Sequence, residues 1–168
     1  ADGDWYLVQG QDVYLPDTDR LAAILDSGAE LWAFDAKPLY RLALEHSGIG
    51  SALRFDGKLA AYLLNPSASG YEVHSLAAEY GVHAAFACEA APDAGVLAGL
   101  CDTLAAALDE SGQRKLLDEM ELPLARVLAD MERIGFAIDA AGIRAFGDSL
   151  RGELDGILHN IYTEVGYE

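Results

Sequence analysis

Apolar and β-branched residues dominate two short runs near the N-terminus, Trp5-Tyr6-Leu7-Val8-Gln9 and Val13-Tyr14-Leu15, and Gly10-Gln11-Asp12 between them carries turn chemistry. The pattern predicts a β-hairpin. Asp17-Thr18-Asp19 can cap a helix over 19–27, where Leu21, Ile24 and Leu25 fall at helical spacing. Residues 30–34 read as a short buried strand, and 36–46 as a helix with Leu39, Leu42 and Ala43 inward, stopped by Gly48 and Gly50. A second short strand at 52–55 leads into a helix over 58–64. Asn65-Pro66 ends that helix, because the residue before a proline disfavours α geometry.

From Tyr71 onward the period-two alternation disappears, and 72–80, 83–90 and 93–110 read as consecutive alanine-rich helices. Strands with interleaved helices first and helices afterwards indicate an α/β layer capped by a helical region. The last third is different again. Leu116, Leu117, Met120, Leu124, Val127, Leu128 and Met131 recur at three- and four-residue steps, giving a helix over 113–133 one apolar face, with Pro123 starting, kinking or locally breaking it. Gly135 closes that segment, 136–138 is a short extended piece, and Asp139 caps a long helix. Its stripe, Ile143, Phe146, Leu150, Leu154, Ile157, Ile161 and Val165, advances by 3, 4, 4, 3, 4 and 4 residues and requires a partner. A domain boundary is placed at Glu110-Ser111-Gly112, dividing the chain into 1–111 and 112–168.

Composition narrows the functional classes. The 168 residues hold 28 acidic and 11 basic side chains, a formal charge of −17. With 52% apolar residues and a mean hydropathy of +0.12, the chain can bury enough surface to offset its ordering entropy, which argues against disorder. Only three lysines and eight arginines are available, which argues against tight nucleic-acid binding by this chain alone, since counterion release needs concentrated positive charge. Cys88 and Cys101 are too few for a disulfide framework and lack partners for zinc. No apolar run approaches the ~20 residues of a membrane span, and the N-terminus has no signal-peptide pattern. The expectation is a monomeric cytoplasmic protein with no membrane partner, cut from a longer chain.

The chemical motifs are sparse. Phosphate-binding glycine loops, nucleophile elbows, HExxH and paired CxxC are absent from the sequence. His46, His74, His83 and His159 are scattered and read as surface or cap histidines, and the serines at 27, 47, 51, 67 and 69 as turn residues. Asp2 and Asp4 form an Asp-x-Asp pair at the terminus, without a strand to hold it. Asp35 and Asp56 each follow a strand, where α/β sheets present functional groups, although helix capping accounts for both. Glu110 with Arg114 and Arg126 with Asp130 are helical i,i+4 pairs. Six of the eleven basic residues, Arg114, Lys115, Arg126, Arg133, Arg144 and Arg151, lie after residue 113.

Two stretches are more specific. Phe55-Asp56-Gly57-Lys58-Leu59-Ala60-Ala61-Tyr62-Leu63-Leu64-Asn65-Pro66, followed by His74-Ser75-Leu76-Ala77, resembles the Phe-Asp-Thr…Ala-Tyr-Leu-Leu-Asn-Pro…Leu-Ala segment of the 3′–5′ exonuclease domain in bacterial family-A DNA polymerases. Residues 121–139, beginning Glu121-Leu122-Pro123-Leu124 and ending Gly135-Phe136-Ala137-Ile138-Asp139, resemble that family's Glu-x-Pro-Leu…Val-Leu…Met-Glu…Gly-Val-x-Val-Asp entry to the polymerase domain. Ile161-Tyr162 and Gly166 fit its continuation. The resemblance covers nearly the whole chain and is weakest before residue 30.

The resemblance implies an α/β, RNase H-like exonuclease fold, a small mixed sheet with flanking helices, for 1–111, followed by the first long thumb helices of the polymerase for 112–168. It implies that the partners of the long stripe lie downstream of Glu168, along with the nucleotide- and metal-binding motifs of polymerisation. The fragment is then expected to need no cofactor of its own, with Mg²⁺ used by the parent, and to bind DNA weakly or not at all while the parent binds it, through Arg126, Arg133, Arg144 and Arg151 among others. The proofreading motifs depart from the family pattern. The Asp-x-Glu pair of the first strand falls upstream or is lost. Asn-x-x-x-Asp aligns with Asp35-Ala36-Lys37-Pro38-Leu39, which puts Leu39 where a metal carboxylate belongs, and Tyr-x-x-x-Asp aligns best with Glu89 to Asp93, without the tyrosine. Hydrolysis by paired metals requires those carboxylates. The implied reading is a degenerate exonuclease domain with no catalytic or metal residue, kept as scaffold in a replication and repair polymerase. Two alternatives remain at this point, an active exonuclease using displaced carboxylates such as Asp35, Asp56 and Asp93, and an acidic module that engages a basic partner.

Overall fold

Gly10, at φ 64°, closes the turn between strands β1 (Leu7–Gln9) and β2 (Asp12–Tyr14), which pair antiparallel with Val8 opposite Val13. The structure is a computed structural model that describes residues 5–46 and 48–166, so Asp2 and Asp4 of the terminal pair, and Ser47, lie outside the described residues. Helix α1 (Thr18–Leu25) starts where its cap predicts, the Asp17 carboxylate accepting from the Arg20 N–H at 2.8 Å. Strand β3 (Leu31–Ala33), helix α2 (Lys37–Glu45, with Pro38 in its first turn) and strand β4 (Leu53–Asp56) follow. β3 and β4 run parallel, with Trp32 opposite Phe55 and Ala33 opposite Asp56. Helix α3 (Gly57–Leu64) begins directly from β4, and α4 (Val73–Glu79) and α5 (Ala94–Ser111) complete this half.

Two expectations are corrected here. The strands form two separate two-stranded sheets among the described residues, β1–β2 and β3–β4, rather than one mixed sheet. Residues 83–90 are irregular, with a bend at 85–86 and a turn at 89–90, and are not helix. Alanine propensity alone does not hold a helix that lacks a buried stripe. Here Ala84, Ala85 and Ala87 are exposed and the Ala85 N–H donates to the Gly95 carbonyl instead.

After Gly112, in the left-handed region at φ 72°, the chain forms a single turn α6 (Arg114–Leu116), a π-helical segment (Leu117–Glu121) and helix α7 (Leu122–Ile134). Pro123 explains the irregularity, because it brings no N–H to the helix ladder. The turn before it widens, and the Leu122 N–H donates five residues back to the Leu117 carbonyl. This keeps both Leu117 and Leu122 buried. Gly135, at φ 69°, ends α7, and α8 (Ala140–Val165) is capped by the Asp139 carboxylate on the Gly142 N–H at 2.8 Å.

Packing in the core is continuous across residue 111. One cluster joins Phe55 of β4, Ala60 and Ala61 of α3, Leu100, Leu104 and Leu108 of α5, and Leu117 and Leu122. A second joins Leu21 and Leu25 of α1, Ala36, Tyr40 and Ala43 around α2, and Ala125 and Ala129 of α7. Each fully buried leucine contributes roughly 2 kcal/mol. α7 thus contributes to both clusters, and in packing terms the first compact unit runs to Ile134, with Gly135–Glu168 as the second. Gly57, where the family pattern has threonine, is required by close approach: a Cβ there would lie 2.9 Å from the Phe34 ring and 3.2 Å from Cys101 Sγ. Burial pushes the Cys101 thiol up to about 12, first through desolvation and then through nearby Asp56 and Asp102. No helix among the described residues is long and apolar enough to cross a membrane.

Candidate functional site

Asp56 is the buried charged residue at the carboxyl ends of the two parallel strands, 2% exposed. Its Oδ1 accepts from the N–H groups of Asp35 (3.1 Å), Lys58 (2.8 Å) and Leu59 (3.2 Å), and its Oδ2 from Ala36 (2.6 Å). It therefore caps α3 and clasps the turn that enters α2. Desolvation raises its pKa above the ordinary carboxylate value, against the lowering effect of the four N–H donors. Asp35 does not cap α2. It sits at φ 70°, the one described non-glycine residue in the left-handed region, and its carboxylate holds Lys58 Nζ at 2.8 Å. That bond, ahead of opposing desolvation, raises the Lys58 pKa.

Two clefts flank this hub. One, of about 390 Å³, is lined by β1, β3 and the start of α5, and brings together Asp35, Leu39 and Asp93 with Trp32, Phe34 and Leu97. Of the four positions that the resemblance aligns with proofreading motifs, Glu89 alone does not line it; it is exposed in the turn before α5. His74 Nε2 lies 2.6 Å from Asp93 Oδ1, off the direction of its N–H, so that this buried oxygen accepts no aligned hydrogen bond. Among the described residues, no group of three or more His, Cys, Asp or Glu side chains is placed to hold a metal ion.

The second cleft, of about 350 Å³, lies between α3 and α7 and was not legible in the sequence. Leu59, Leu124, Ala125 and Leu128 form its apolar walls, and Tyr62 and Tyr71 meet edge to face at 6.1 Å between ring centroids. Lys58 and Tyr62 at i,i+4 were a usable signal for a shared face; the contribution of α7, some sixty residues away, had none.

Relatives of the same kind recur among characterised proteins. The chain is 31% identical over 156 residues to DNA polymerase I of Bacillus subtilis, covering 80% of the chain and 18% of that protein. It is 31% identical over 175 residues to DNA polymerase I of Geobacillus stearothermophilus, covering 92% of the chain and 20% of that protein. Among solved structures, the POL domain of Pol1 from M. smegmatis, in complex with DNA primer-template and dNTP, matches with a TM-score of 0.64 and 25% identity over 92% of the chain and 28% of that structure. The chain belongs to the bacterial DNA polymerase I family. No protein-family profile matches it, and it spans about a fifth of the length of the polymerase I relatives above.

For a polymerase I segment the basic side chains of α7 and α8 are of interest, and all four expected backbone contacts, Arg126, Arg133, Arg144 and Arg151, are exposed. Two are engaged locally, Arg133 by Asp130 at 2.8 Å and Arg151 by Asp148 at 3.1 Å. The expected ion pairs differ from the observed ones. Arg114 pairs with Asp118 at 3.1 Å, because Gly112 ends the helix that carries Glu110, and Asp130 takes Arg133 rather than Arg126. Residues 112–168 hold eleven carboxylates against six basic side chains, so the polymerase I segment is acidic in this half too.

Proposed function

We propose that residues 1–111 are an RNase H-like 3′–5′ exonuclease domain that has lost its chemistry and serves as scaffold, and that 112–168 are the first thumb helices of a DNA polymerase I. The parent binds primer-template DNA and acts in cytoplasmic DNA replication and repair as a monomer, with Mg²⁺ at polymerase motifs outside these residues; this segment holds no cofactor. The observation that carries the scaffold reading is Leu39, an aliphatic side chain in the cleft with Asp35 and Asp93, at the position of a metal-binding aspartate. Paired-metal hydrolysis needs several carboxylates converging on ions about 3.5–4 Å apart. The described residues do not fit such a pair of ions, since no three of their His, Cys, Asp or Glu side chains converge.

The test uses the full-length polymerase on a labelled primed template with Mg²⁺ and then Mn²⁺. Primer extension with dNTPs is expected, and without dNTPs the 3′ end stays intact. Trimming of the 3′ end that is lost in Asp35→Ala or Asp93→Ala would overturn the scaffold reading, and failure to extend the primer would overturn the polymerase reading.

A further inference from the structure

We infer that the cleft between α3 and α7 is a docking groove for another segment of the same polymerase chain, one that presents apolar side chains and a basic residue. The inference rests on the polymerase reading, since relatives extend over about five times the aligned length. Three features of the groove define its occupant. First, its walls are apolar and open: Tyr62 is 45% exposed, Leu124 48% and Leu128 40%, although Ala125, between the two leucines, is 7% exposed. α7 therefore has two apolar faces, one in the core and one, Leu124 and Leu128 at i,i+4, directed into the groove.

Second, its charges are already spoken for, with one exception. Lys37 holds Glu132 at 2.8 Å, Lys58 holds Asp35 at 2.8 Å, and Asp56 is saturated by backbone N–H groups. Glu121 lines the groove and has no salt bridge among the described residues. A lysine or arginine on the occupant satisfies it. Third, Glu121 ends the π-helical segment and is only partly exposed, so its carboxylate is held at the groove by the irregular turn that Pro123 imposes. An apolar groove with a single free carboxylate selects an apolar segment with a cation at one end, and disfavours nucleic acid, which would meet no free cation among the lining residues.

The experiment places p-benzoylphenylalanine at Leu128 in the full-length polymerase, with a control at Tyr14, which is exposed on β2. Irradiation and peptide mapping are expected to give an intramolecular cross-link from position 128 to a segment outside these 168 residues, and none to that segment from position 14. Glu121→Arg is expected to reduce its yield about threefold, the size of one partly exposed charge pair. A cross-link confined to these 168 residues, one that doubles the mass, one to a different protein, or none at all overturns the inference. Primer extension by the same preparation reads the polymerase assignment separately, so a missing cross-link in an extending enzyme counts against the groove alone.

Discussion

Asp56→Ala is expected to lower the stability of the first compact unit by about 3 kcal/mol, read from urea or thermal unfolding of the chain. The substitution strips acceptors from four N–H groups at once, those of Asp35, Ala36, Lys58 and Leu59. Each donor left dry costs about 1–3 kcal/mol, reduced where water enters and offset by no longer burying a carboxylate. The loss is larger than for an ordinary cap, worth about 1 kcal/mol, because this one carboxylate fixes both the start of α3 and the turn into α2. A loss below about 1 kcal/mol would mean the turn at Asp35 holds itself.

The same group sets a pH dependence. Its pKa is raised in the folded state, chiefly by desolvation. The folded protein then binds the proton more tightly than the unfolded chain, so this contribution to stability is present below the ordinary carboxylate value of 3.8 and is lost as pH rises through the folded pKa. Asp56→Asn removes that slope. Wild-type stability minus that of Asp56→Asn is expected to grow as pH falls from 7 toward 4 (about the unfolded carboxylate pKa) and to be flat above the folded value. A difference that shrinks on acidification would reverse the assigned cause.

How far these features were readable in the sequence depends on their range. The capping roles of Asp17, Asp56 and Asp139 follow from local pattern, and each is observed. That Asp56 also takes the Asp35 and Ala36 N–H groups depends on the parallel register that sets Ala33 opposite Asp56, a pairing across more than twenty residues that no local pattern encodes. A helix ends at Gly112, where the sequence places the boundary, yet the chain after it folds back into both core clusters through Leu122, Ala125 and Ala129, long-range packing that a local helix stop does not encode. Alanine-rich 83–90 misled in the other direction, because propensity was high where no apolar stripe existed to bury. Leu39 could be placed by motif alignment, and the structure then set it in one cleft with Asp35 and Asp93. The α3–α7 groove could not, because Tyr62 and Leu128 meet only in the fold.

Helix α8 carries the other large expected effect. In the 168-residue chain its amides are expected to exchange with D₂O within about tenfold of an unstructured peptide. Those of α5 should be protected by a factor on the order of 10³ or more, since opening them amounts to unfolding the unit. α5 buries Leu100, Leu104 and Leu108 completely, whereas no residue of α8 is buried. Four glycines, at 142, 147, 152 and 156, sit inside α8, each costing about 1 kcal/mol relative to alanine. Against them stand the Asp139 cap and the bond from the Gly166 N–H to the Tyr162 carbonyl, together worth about 1–2 kcal/mol. Such a helix persists only when its stripe is covered. The 3, 4, 4 stepping of that stripe is an eleven-residue repeat, about 3.67 residues per turn, which favours a straight or slightly right-handed packing over a left-handed coiled coil. Protection of α8 equal to that of α5 at low concentration would show that the helix is already covered within the chain. Protection that rises with concentration would show that a second copy covers it, and protection gained only in the full-length polymerase is the outcome the thumb assignment requires.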